Sequence, residues 1–291
     1  MQSLVQDLIG LLTLEQLDRN LFRGQSLDIG THRVFGGQVL GQSLAAANQT
    51  VEDGTVHSMH AYFLRAGDHN APIIYEVDRQ RDGRTYSSRR VVAIQHGRPI
   101  LNMAASFQKH EEGLTHQSDM PDVPAPDTLK DISEYRREYL ARMPEIKMPR
   151  FARLEKPFEF RPVQTPPFLN PENGQPAYQM WFRTSEQLPD DDDLHRNVLT
   201  YVSDYSLISV ATRPHSKQMS HGQFQMASLD HAMWFQRPFR VDEWLLYAIE
   251  SPSATSGRGL TQGRIYQQDG TLVAVVAQEG VMRVARDQDN P

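Results

Sequence analysis

Three polar side chains in the last third of the chain stand in or beside apolar runs. Asp204 lies within residues 198–208, Gln278 within residues 275–281, and Ser228 near the start of a strand-like run. Burying a carboxylate or an amide is costly unless it has partners or a task. A carboxylate accepts protons, and a hydroxyl and an amide orient water, so these types suit chemistry that activates water. By spacing alone Asp204 is as readily a helix-surface aspartate, and Ser228 taken singly is an ordinary strand serine.

These residues all fall in the second of two weakly similar halves. Residues 57–65 align with residues 229–237, and residues 95–97 align in the same order with residues 268–270. Self-similarity with so long a period predicts a duplicated domain. When the second alignment is continued along the chain, Gln278 falls on Ala105, so a polar residue in one copy matches an apolar residue in the other. This asymmetry suggests an enzyme whose site lies in one half while the other half is scaffold.

The elements that must position these residues follow the same order in each half. A strand and a helix come first, and a run of strands without intervening helices follows, which is an α+β pattern of one helix against one antiparallel sheet. The boundaries predict an N-terminal domain over residues 1–110, a proline-rich linker with a short helix over residues 111–157, and a C-terminal domain over residues 158–291. The predicted helices span residues 34–47, 128–142 and 194–212. The predicted strands span residues 21–26, 56–64, 72–79, 84–95, 99–108, 158–163, 179–183, 225–236, 243–251, 259–267 and 271–283.

Composition excludes several classes of protein. A formal charge of −6 over 291 residues argues against a nucleic-acid binder, which carries a basic excess. The absence of cysteine excludes thiolate nucleophiles, disulfides and sulfur-ligated zinc. The first twelve residues carry no basic residue and favour an amphipathic helix over a secretory signal, and no run is apolar over the length of a membrane span. A cytoplasmic protein is the expectation.

Three other motifs give weaker evidence about function. Residues 36–43 have the outline of a phosphate-binding loop, but Gln42 stands where the loop needs lysine. Four aspartates at residues 190–193 favour a helix N-terminus over a metal cluster. A basic run is either a solvated strand face or a contact for phosphate groups, and the sequence leaves both open; it comprises Arg81, Arg84, Arg89 and Arg90.

Four longer motifs resemble the acyl-CoA thioesterase II family. They are residues 35–39, 57–68, 230–239 and 278–283, and the similarity extends from about residue 11 to residue 283. The resemblance implies a double hotdog fold, in which two tandem antiparallel sheets each wrap around a central helix, and the hydrolysis of medium- to long-chain fatty acyl-CoA. It also implies homodimers or homotetramers, a role in fatty acid metabolism, and no metal or organic cofactor.

The family's active-site aspartate, threonine or serine, and glutamine fall on Asp204, Ser228 and Gln278. Threonine is commoner at the middle position, and serine keeps its hydroxyl. The resemblance implies that Asp204 takes a proton from a water molecule held by Ser228 and Gln278, which then attacks the thioester carbonyl. Direct attack by Asp204 through a mixed anhydride is equally permitted. The substrate-binding residues predicted beside them are Gly36 and Gly37, whose N–H groups suit an oxyanion, and Arg65, Arg84, Arg89 and Arg90.

Two other functions compete with hydrolysis. A hotdog enoyl-CoA hydratase needs a histidine and a carboxylate, for which Asp230 and His231 are the adjacent pair in the right region. Neighbours on a strand face opposite ways, which disfavours that pair. A non-catalytic acyl-CoA binding module has no need of a carboxylate, a hydroxyl and an amide around a water molecule.

Overall fold

The computed structural model describes residues 3–284 apart from residues 32, 144, 146–147, 167–168, 170–173 and 217–223. Over these residues the α-helices are α1 (Leu4–Leu12), α2 (Gly36–Asn48), α3 (Ile132–Arg142), α4 (Arg150–Arg153) and α5 (Asp192–Ser203). Two 3-10 helices span Pro126–Thr128 and Ile208–His215. The strands are β1 (Glu15–Asp18), β2 (Leu21–Gly24), β3 (Thr55–Phe63), β4 (Ile73–Asp82), β5 (Tyr86–Gln95), β6 (Arg98–Gln108), β7 (Phe158–Pro162), β8 (Ala177–Thr184), β9 (Phe224–Ser228), β10 (Asp230–Phe235), β11 (Leu245–Thr255), β12 (Arg258–Gln267) and β13 (Leu272–Val284).

The antiparallel sheets of the two halves join edge to edge into one sheet. Within the described residues its order is β1-β2-β4-β5-β6-β3-β10-β13-β12-β11-β8-β7, with β9 paired to β13. The junction is the pairing of β3 with β10, in register from Tyr62 opposite Asp230 to Ser58 opposite Trp234. The two strands that show the internal repeat best are therefore neighbours at the centre of the molecule.

Each half wraps its sheet around one helix, as the sequence predicts, and the two central helices also pack on each other. In α2 every residue from Gly37 to Ala47 is buried. A Cβ added at Gly37 would lie 2.2 Å from the Tyr201 carbonyl oxygen, and one added at Gly41 would lie 3.0 Å from the Asn197 carbonyl oxygen. Small residues in α2 thus let the two helix backbones approach closely. The pairing is antiparallel, because the start of α2 meets the end of α5.

Two predicted elements are each divided in the structure. The helix predicted over residues 194–212 ends at Ser203, with Asp204 as its C-cap. Two residues later Ser206 adopts a left-handed φ of 62°, which ends the helical path before the 3-10 helix begins. The strand predicted over residues 225–236 is interrupted at Leu229, so Ser228 ends β9 instead of starting the longer strand.

The linker lies along the C-terminal half and is tied to it by hydrogen bonds. The Gln117 side chain donates to the Gly270 carbonyl at 2.8 Å, and the Trp181 indole donates to the Pro124 carbonyl at 2.9 Å. At the start of α3, Asp131 and Glu134 form a capping box. The linker is therefore part of the folded body of the C-terminal half.

The N-terminal helix packs on the body, as its spacing predicts, burying Val5, Leu8, Leu11 and Leu12. The aspartate run at residues 190–193 begins a helix, also as predicted, with Asp191 accepting from the backbone N–H groups of Asp193 and Leu194. None of the helices in the described part of the chain is both long and apolar enough to cross a membrane.

Candidate active site

The site forms where the N-terminus of α2 meets the C-terminus of α5. Asp204 caps α5, and its carboxylate lies against Gly36, the first residue of α2. A Cβ added at Gly36 would lie 2.7 Å from Asp204 Oδ2 and 3.0 Å from the Phe63 ring. The N-terminus of a helix carries partial positive charge, which favours an anion at this position. The N-terminal half therefore supplies backbone to a site whose side chains come from the C-terminal half.

Two donors hold the Asp204 carboxylate. Gln278 Nε2 donates to Asp204 Oδ1 at 2.7 Å, and the backbone N–H of Gly37 donates to the same carboxylate. Burial raises the pKa of Asp204 above the ordinary 3.8, while these two hydrogen bonds oppose the rise by stabilising the ionised form. A carboxylate in this setting is a stronger base than one in water, because the desolvated anion gains more by binding a proton.

A bulge in the sheet places Gln278. Ser228 pairs with Gly280 while Ala232 pairs with Ala277, so the register of β13 changes by one residue between β9 and β10. The Asp230 carboxylate accepts the Glu279 backbone N–H at 2.7 Å, in place of a ladder carbonyl. Bulges of this kind re-aim side chains next to active sites.

Behind Gln278 runs a chain of buried hydrogen bonds that fixes its amide. Gln278 Nε2 lies 3.3 Å from His231 Nδ1, and His231 Nε2 lies 3.0 Å from Ser203 Oγ, which donates to the Thr200 carbonyl at 2.9 Å. Because an amide nitrogen only donates, His231 Nδ1 is an acceptor and Nε2 carries the proton. Burial lowers the pKa of His231 to about 3, so the ring is neutral at pH 7. His231 thus holds Gln278 without adding charge.

The remaining acceptor of this network is Gln278 Oε1, which is buried and has no partner among the described residues. Ser228 lies close by in the sheet. It is directly opposite Gly280 across β9 and β13, so its side chain faces the same side of the sheet as Gln278, two residues away along β13. In the described contacts its hydroxyl bonds neither Asp204 nor Gln278. Asp204 and Gln278 therefore touch directly, and Ser228 flanks them.

The arginines predicted to bind substrate lie in the N-terminal half. Arg89 is 1% exposed, and all five of its N–H groups donate within that half, to Thr50, Asp82, Arg81 and Ser88. The structure places this guanidinium in the core instead of at a surface that meets phosphate, because Asp82 pairs with its charge and Thr50 accepts two of its N–H groups.

The other three predicted arginines, Arg65, Arg84 and Arg90, are exposed. Arg65 donates to the Pro99 carbonyl at 2.7 Å. It lies two residues after Phe63, whose ring lies against Gly36. In the described residues none of the three contacts Asp204 or Gln278, and their role toward substrate stays a prediction.

The sequence does not predict two residues of this network, His231 and Ser203, as site residues. A signal for His231 is present in the repeat, because in the alignment of residues 57–65 with residues 229–237 it falls on Met59, a buried apolar residue. Ser203 gives no such signal. The pairing of Asp230 with His231 that a hydratase needs is absent, because Asp230 bonds the Glu279 backbone while the buried His231 ring faces Gln278.

Comparison with known families covers both halves of the chain. The family model for an acyl-CoA thioesterase matches residues 151–281, and the model for an acyl-CoA thioesterase N-terminal domain matches residues 25–108. Acyl-CoA thioesterase 2 of Haemophilus influenzae is 44% identical over 287 residues, covering 97% of this chain and 99% of that protein. Human acyl-coenzyme A thioesterase 8 is 43% identical, covering 94% of this chain and 88% of that protein.

Solved structures agree with these sequence matches. The acyl-CoA thioesterase II TesB2 of Mycobacterium marinum is 44% identical with a TM-score of 0.78, covering 95% of this chain and 98% of that one. A protein of unknown function with a hot dog fold from Alicyclobacillus acidocaldarius matches at a TM-score of 0.76 with 18% identity, covering 95% and 98% of the two chains. The double hotdog prediction is thereby confirmed.

Proposed function

We propose a mechanism from one premise: the chain belongs to the acyl-CoA thioesterase family and is an acyl-CoA thioester hydrolase. In this proposal Asp204 is the general base, Gln278 and Ser228 hold the attacking water molecule, and the substrate is a medium- to long-chain fatty acyl-CoA. The contact between Gln278 Nε2 and Asp204 Oδ1 at 2.7 Å carries the proposal.

That contact supports a general base because it orients the Asp204 carboxylate without transferring a proton to it. Oδ1 is occupied by Gln278, while Oδ2 faces the first turn of α2. The pKa of Asp204 is raised by burial, which increases its affinity for a proton. The unpartnered Gln278 Oε1 is an acceptor for one water hydrogen, since buried polar atoms are normally satisfied. The Ser228 hydroxyl then orients the same water from the neighbouring strand.

The reaction begins when Asp204 removes a proton from this water molecule as its oxygen bonds to the thioester carbonyl carbon. The carbonyl π electrons move onto oxygen and form a tetrahedral oxyanion. When the oxyanion collapses, the carbon–sulfur bond breaks and its electron pair leaves on the CoA sulfur. A thiol has a pKa of about 8.5 by analogy with cysteine, so the thiolate departs without a dedicated acid. The proton on Asp204 passes to the thiolate or to solvent.

The oxyanion needs a donor, and Gly36 is our candidate. Gly37 already donates to Asp204, whereas no acceptor for the Gly36 N–H lies among the described residues. Both N–H groups belong to the first turn of α2, where the helix dipole adds favourable potential for an anion. Glycine is required here because a side chain at Gly36 would collide with the carboxylate.

Direct attack by Asp204 on the thioester is a second route. The two routes differ in the origin of the oxygen that enters the fatty acid when the mixed anhydride is hydrolysed at the aspartyl carbon. In a single turnover in H2 18-O water, a general base puts labelled oxygen into the fatty acid. Attack by Asp204, followed by hydrolysis at the aspartyl carbon, gives an unlabelled fatty acid and labelled enzyme. Mass spectrometry of the product and of the intact chain separates them.

The rest of the proposal concerns the protein's setting. The names of the H. influenzae and human relatives support acyl-CoA as the substrate class, and we take the acyl group to be that of a fatty acid. We extend this to a role in fatty acid metabolism, a cytoplasmic location and a homodimer or homotetramer of the double hotdog. Light scattering on the purified chain tests the assembly.

The function is tested by release of CoA from butyryl-, lauroyl- and palmitoyl-CoA, detected with a thiol reagent. The chain contains no cysteine, so every thiol that reacts comes from the substrate. Wild type should release CoA, and Asp204→Asn should release it at least about 10²-fold more slowly. Stable acyl-CoA bound to folded wild type would instead support a binding module, and loss of absorbance from an enoyl-CoA without thiol release would support a hydratase.

A further inference from the structure

A large cavity lies between the linker and the C-terminal half, and its lining includes Tyr205 but not Asp204. Its volume is about 910 Å³. One wall comes from strands β7 and β8, with Phe158, Phe160 and Met180, and the opposite wall comes from the linker, with Phe151 and Ala152. The lining side chains named here are apolar, and three of them are aromatic.

Two charged groups at this cavity, Lys156 and Asp131, have partners in the protein. Lys156 Nζ donates to the Phe151 carbonyl at 2.5 Å and lies 4.0 Å from the centre of the Phe151 ring, and burial lowers the Lys156 pKa to about 8. The Asp131 carboxylate caps α3 and accepts the Phe160 N–H at 3.3 Å. Arg136, Glu155 and Arg213 also line the cavity, but most of its lining surface is apolar, so the space is suited to an apolar guest.

The linker wall is anchored at both ends. Asp131 ties α3 to β7, and Arg150 of α4 pairs with Asp28 of the N-terminal half. At Gly30 an added Cβ would lie 2.7 Å from the Phe151 backbone nitrogen, so the N-terminal half packs directly on α4. The linker wall is therefore in contact with both halves of the molecule.

Tyr205 connects the cavity to the reacting centre. It follows Asp204 in the chain and lines the cavity. Its ring lies 5.8 Å from the Phe151 ring on the cavity side and 4.7 Å from the Phe35 ring, which directly precedes Gly36. The buried Tyr205 ring therefore lies between the Asp204 region and the cavity, and an acyl chain that extends from a carbonyl at Asp204 would enter the cavity past this ring.

We propose that this cavity binds the acyl chain of the substrate and that the linker, through α4, sets the chain length accepted. This inference rests on the proposed function. A cavity of about 150 Å³ holds a six-carbon ring, so 910 Å³ is ample for a long alkyl chain. Each methylene that enters an apolar site adds about 0.8 kcal/mol of binding, which is about fourfold in affinity.

The experiment compares Ala152→Trp with Arg153→Trp on the same helix. Ala152 lines the cavity, whereas Arg153 is exposed and lies outside the lining, so both variants add an indole to α4 but only one fills the cavity. The kcat/KM for butyryl-, lauroyl- and palmitoyl-CoA is measured for each. Ala152→Trp should lower the value for palmitoyl-CoA at least about tenfold relative to butyryl-CoA, because two or more methylenes lose their place. Arg153→Trp should keep the wild-type profile.

A wild-type chain-length profile in folded Ala152→Trp, or an equal loss in Arg153→Trp, overturns the assignment of the cavity while leaving thioester hydrolysis intact. Failure of wild type to hydrolyse all three substrates overturns the proposed function and this inference together. Ala152→Leu inserts a smaller group at the same point and should shift the profile in the same direction by about fourfold, which keeps the test valid if the tryptophan variant fails to fold.

Discussion

Two neighbouring positions in the sheet are polar in the C-terminal half and apolar in the N-terminal half. Met59 pairs with Ala105 across β3 and β6, and both are buried. Their counterparts in the repeat are His231 and Gln278, which are hydrogen-bonded to each other, and Gln278 also donates to Asp204. The same cross-strand pair thus serves packing in one half and orientation of a carboxylate in the other.

A second difference lies one strand over. Arg89 pairs with Ala105, and its counterpart in the repeat is Thr261, which pairs with Gln278. In the N-terminal half the guanidinium of Arg89 closes the end of the helix layer by bonding Thr50 and Asp82. In the C-terminal half the smaller Thr261 takes the place of this arginine. There the central helix α5 is capped by Asp204. The equivalent C-cap of α2 is Gln49, which is exposed.

The N-terminal half is more than a scaffold for the site. Although its side chains at these positions are structural, the N-terminal half contributes the start of α2, with the Gly37 N–H on Asp204. The halves divide the work, because one supplies a helix N-terminus and the other supplies the titratable group and its partners.

The largest effect is expected at the carboxylate. Asp204→Asn should lower kcat at least about 10²-fold, because an amide accepts no proton from water. The C-cap of the other central helix provides the control: Gln49→Ala should stay within about twofold of wild type. Steady-state release of CoA from lauroyl-CoA measures both. Similar losses in the two variants would contradict the asymmetry between the halves.

Arg89 tests the opposite half. Arg89→Met should lower the free energy of unfolding by about 2–3 kcal/mol, since it leaves buried acceptors such as the Thr50 carbonyl unpaired. Its neighbour Arg90 is exposed, and Arg90→Met should change stability by no more than about 0.5 kcal/mol. Urea unfolding measures both, with KM for lauroyl-CoA determined in parallel. A raised KM with unchanged stability in Arg89→Met would return this residue to substrate binding.

Gln278→Ala places at this position the residue that its counterpart in the N-terminal half, Ala105, already has. We expect kcat to fall about tenfold, because a hydrogen bond to a charged group is worth about 1.5–3 kcal/mol and the water molecule loses one of its holders. Met59→Leu, a change of similar volume in the counterpart pair, should leave kcat within about twofold. Equal activity in Gln278→Ala and wild type would remove Gln278 from the mechanism.

The smallest effect is expected at His231, which acts through Gln278. His231→Met should lower kcat about threefold with KM unchanged, because the Gln278 amide loses one acceptor of the two that orient it. His231→Asn keeps a side-chain acceptor and should recover part of the loss. If both variants lose thermal stability and neither changes kcat per folded molecule, the residue is structural only.

The sequence predicts much of the framework for physical reasons. Strand alternation and turn residues reveal the order of strands, and the small residues of α2 reveal a helix enclosed by sheet. Cost of burial also singles out Asp204 and Gln278, which the fold brings into contact. These inferences succeed because they depend on local pattern or on the energy of a single buried group.

The remaining features depend on contacts that no local pattern contains. The left-handed backbone at Ser206 ends α5 early, and the bulge at Asp230 divides a predicted strand. Burial of Arg89 follows from partners at residues 50 and 82, so a basic run that resembles a surface patch contains a core residue. The antiparallel approach of α2 to α5, which creates the site, is a tertiary event.

The most direct test of a carboxylate base held by Gln278 is the pH dependence of kcat/KM for lauroyl-CoA in wild type and Gln278→Ala. In the proposed mechanism hydrolysis requires ionised Asp204, so kcat/KM should rise as pH increases through its pKa, which burial places above 3.8. The Gln278 hydrogen bond lowers that pKa, and its removal should move the acid limb to higher pH. His231 is neutral over this range, since its pKa is about 3. An acid limb at the same pH in both proteins would contradict the account.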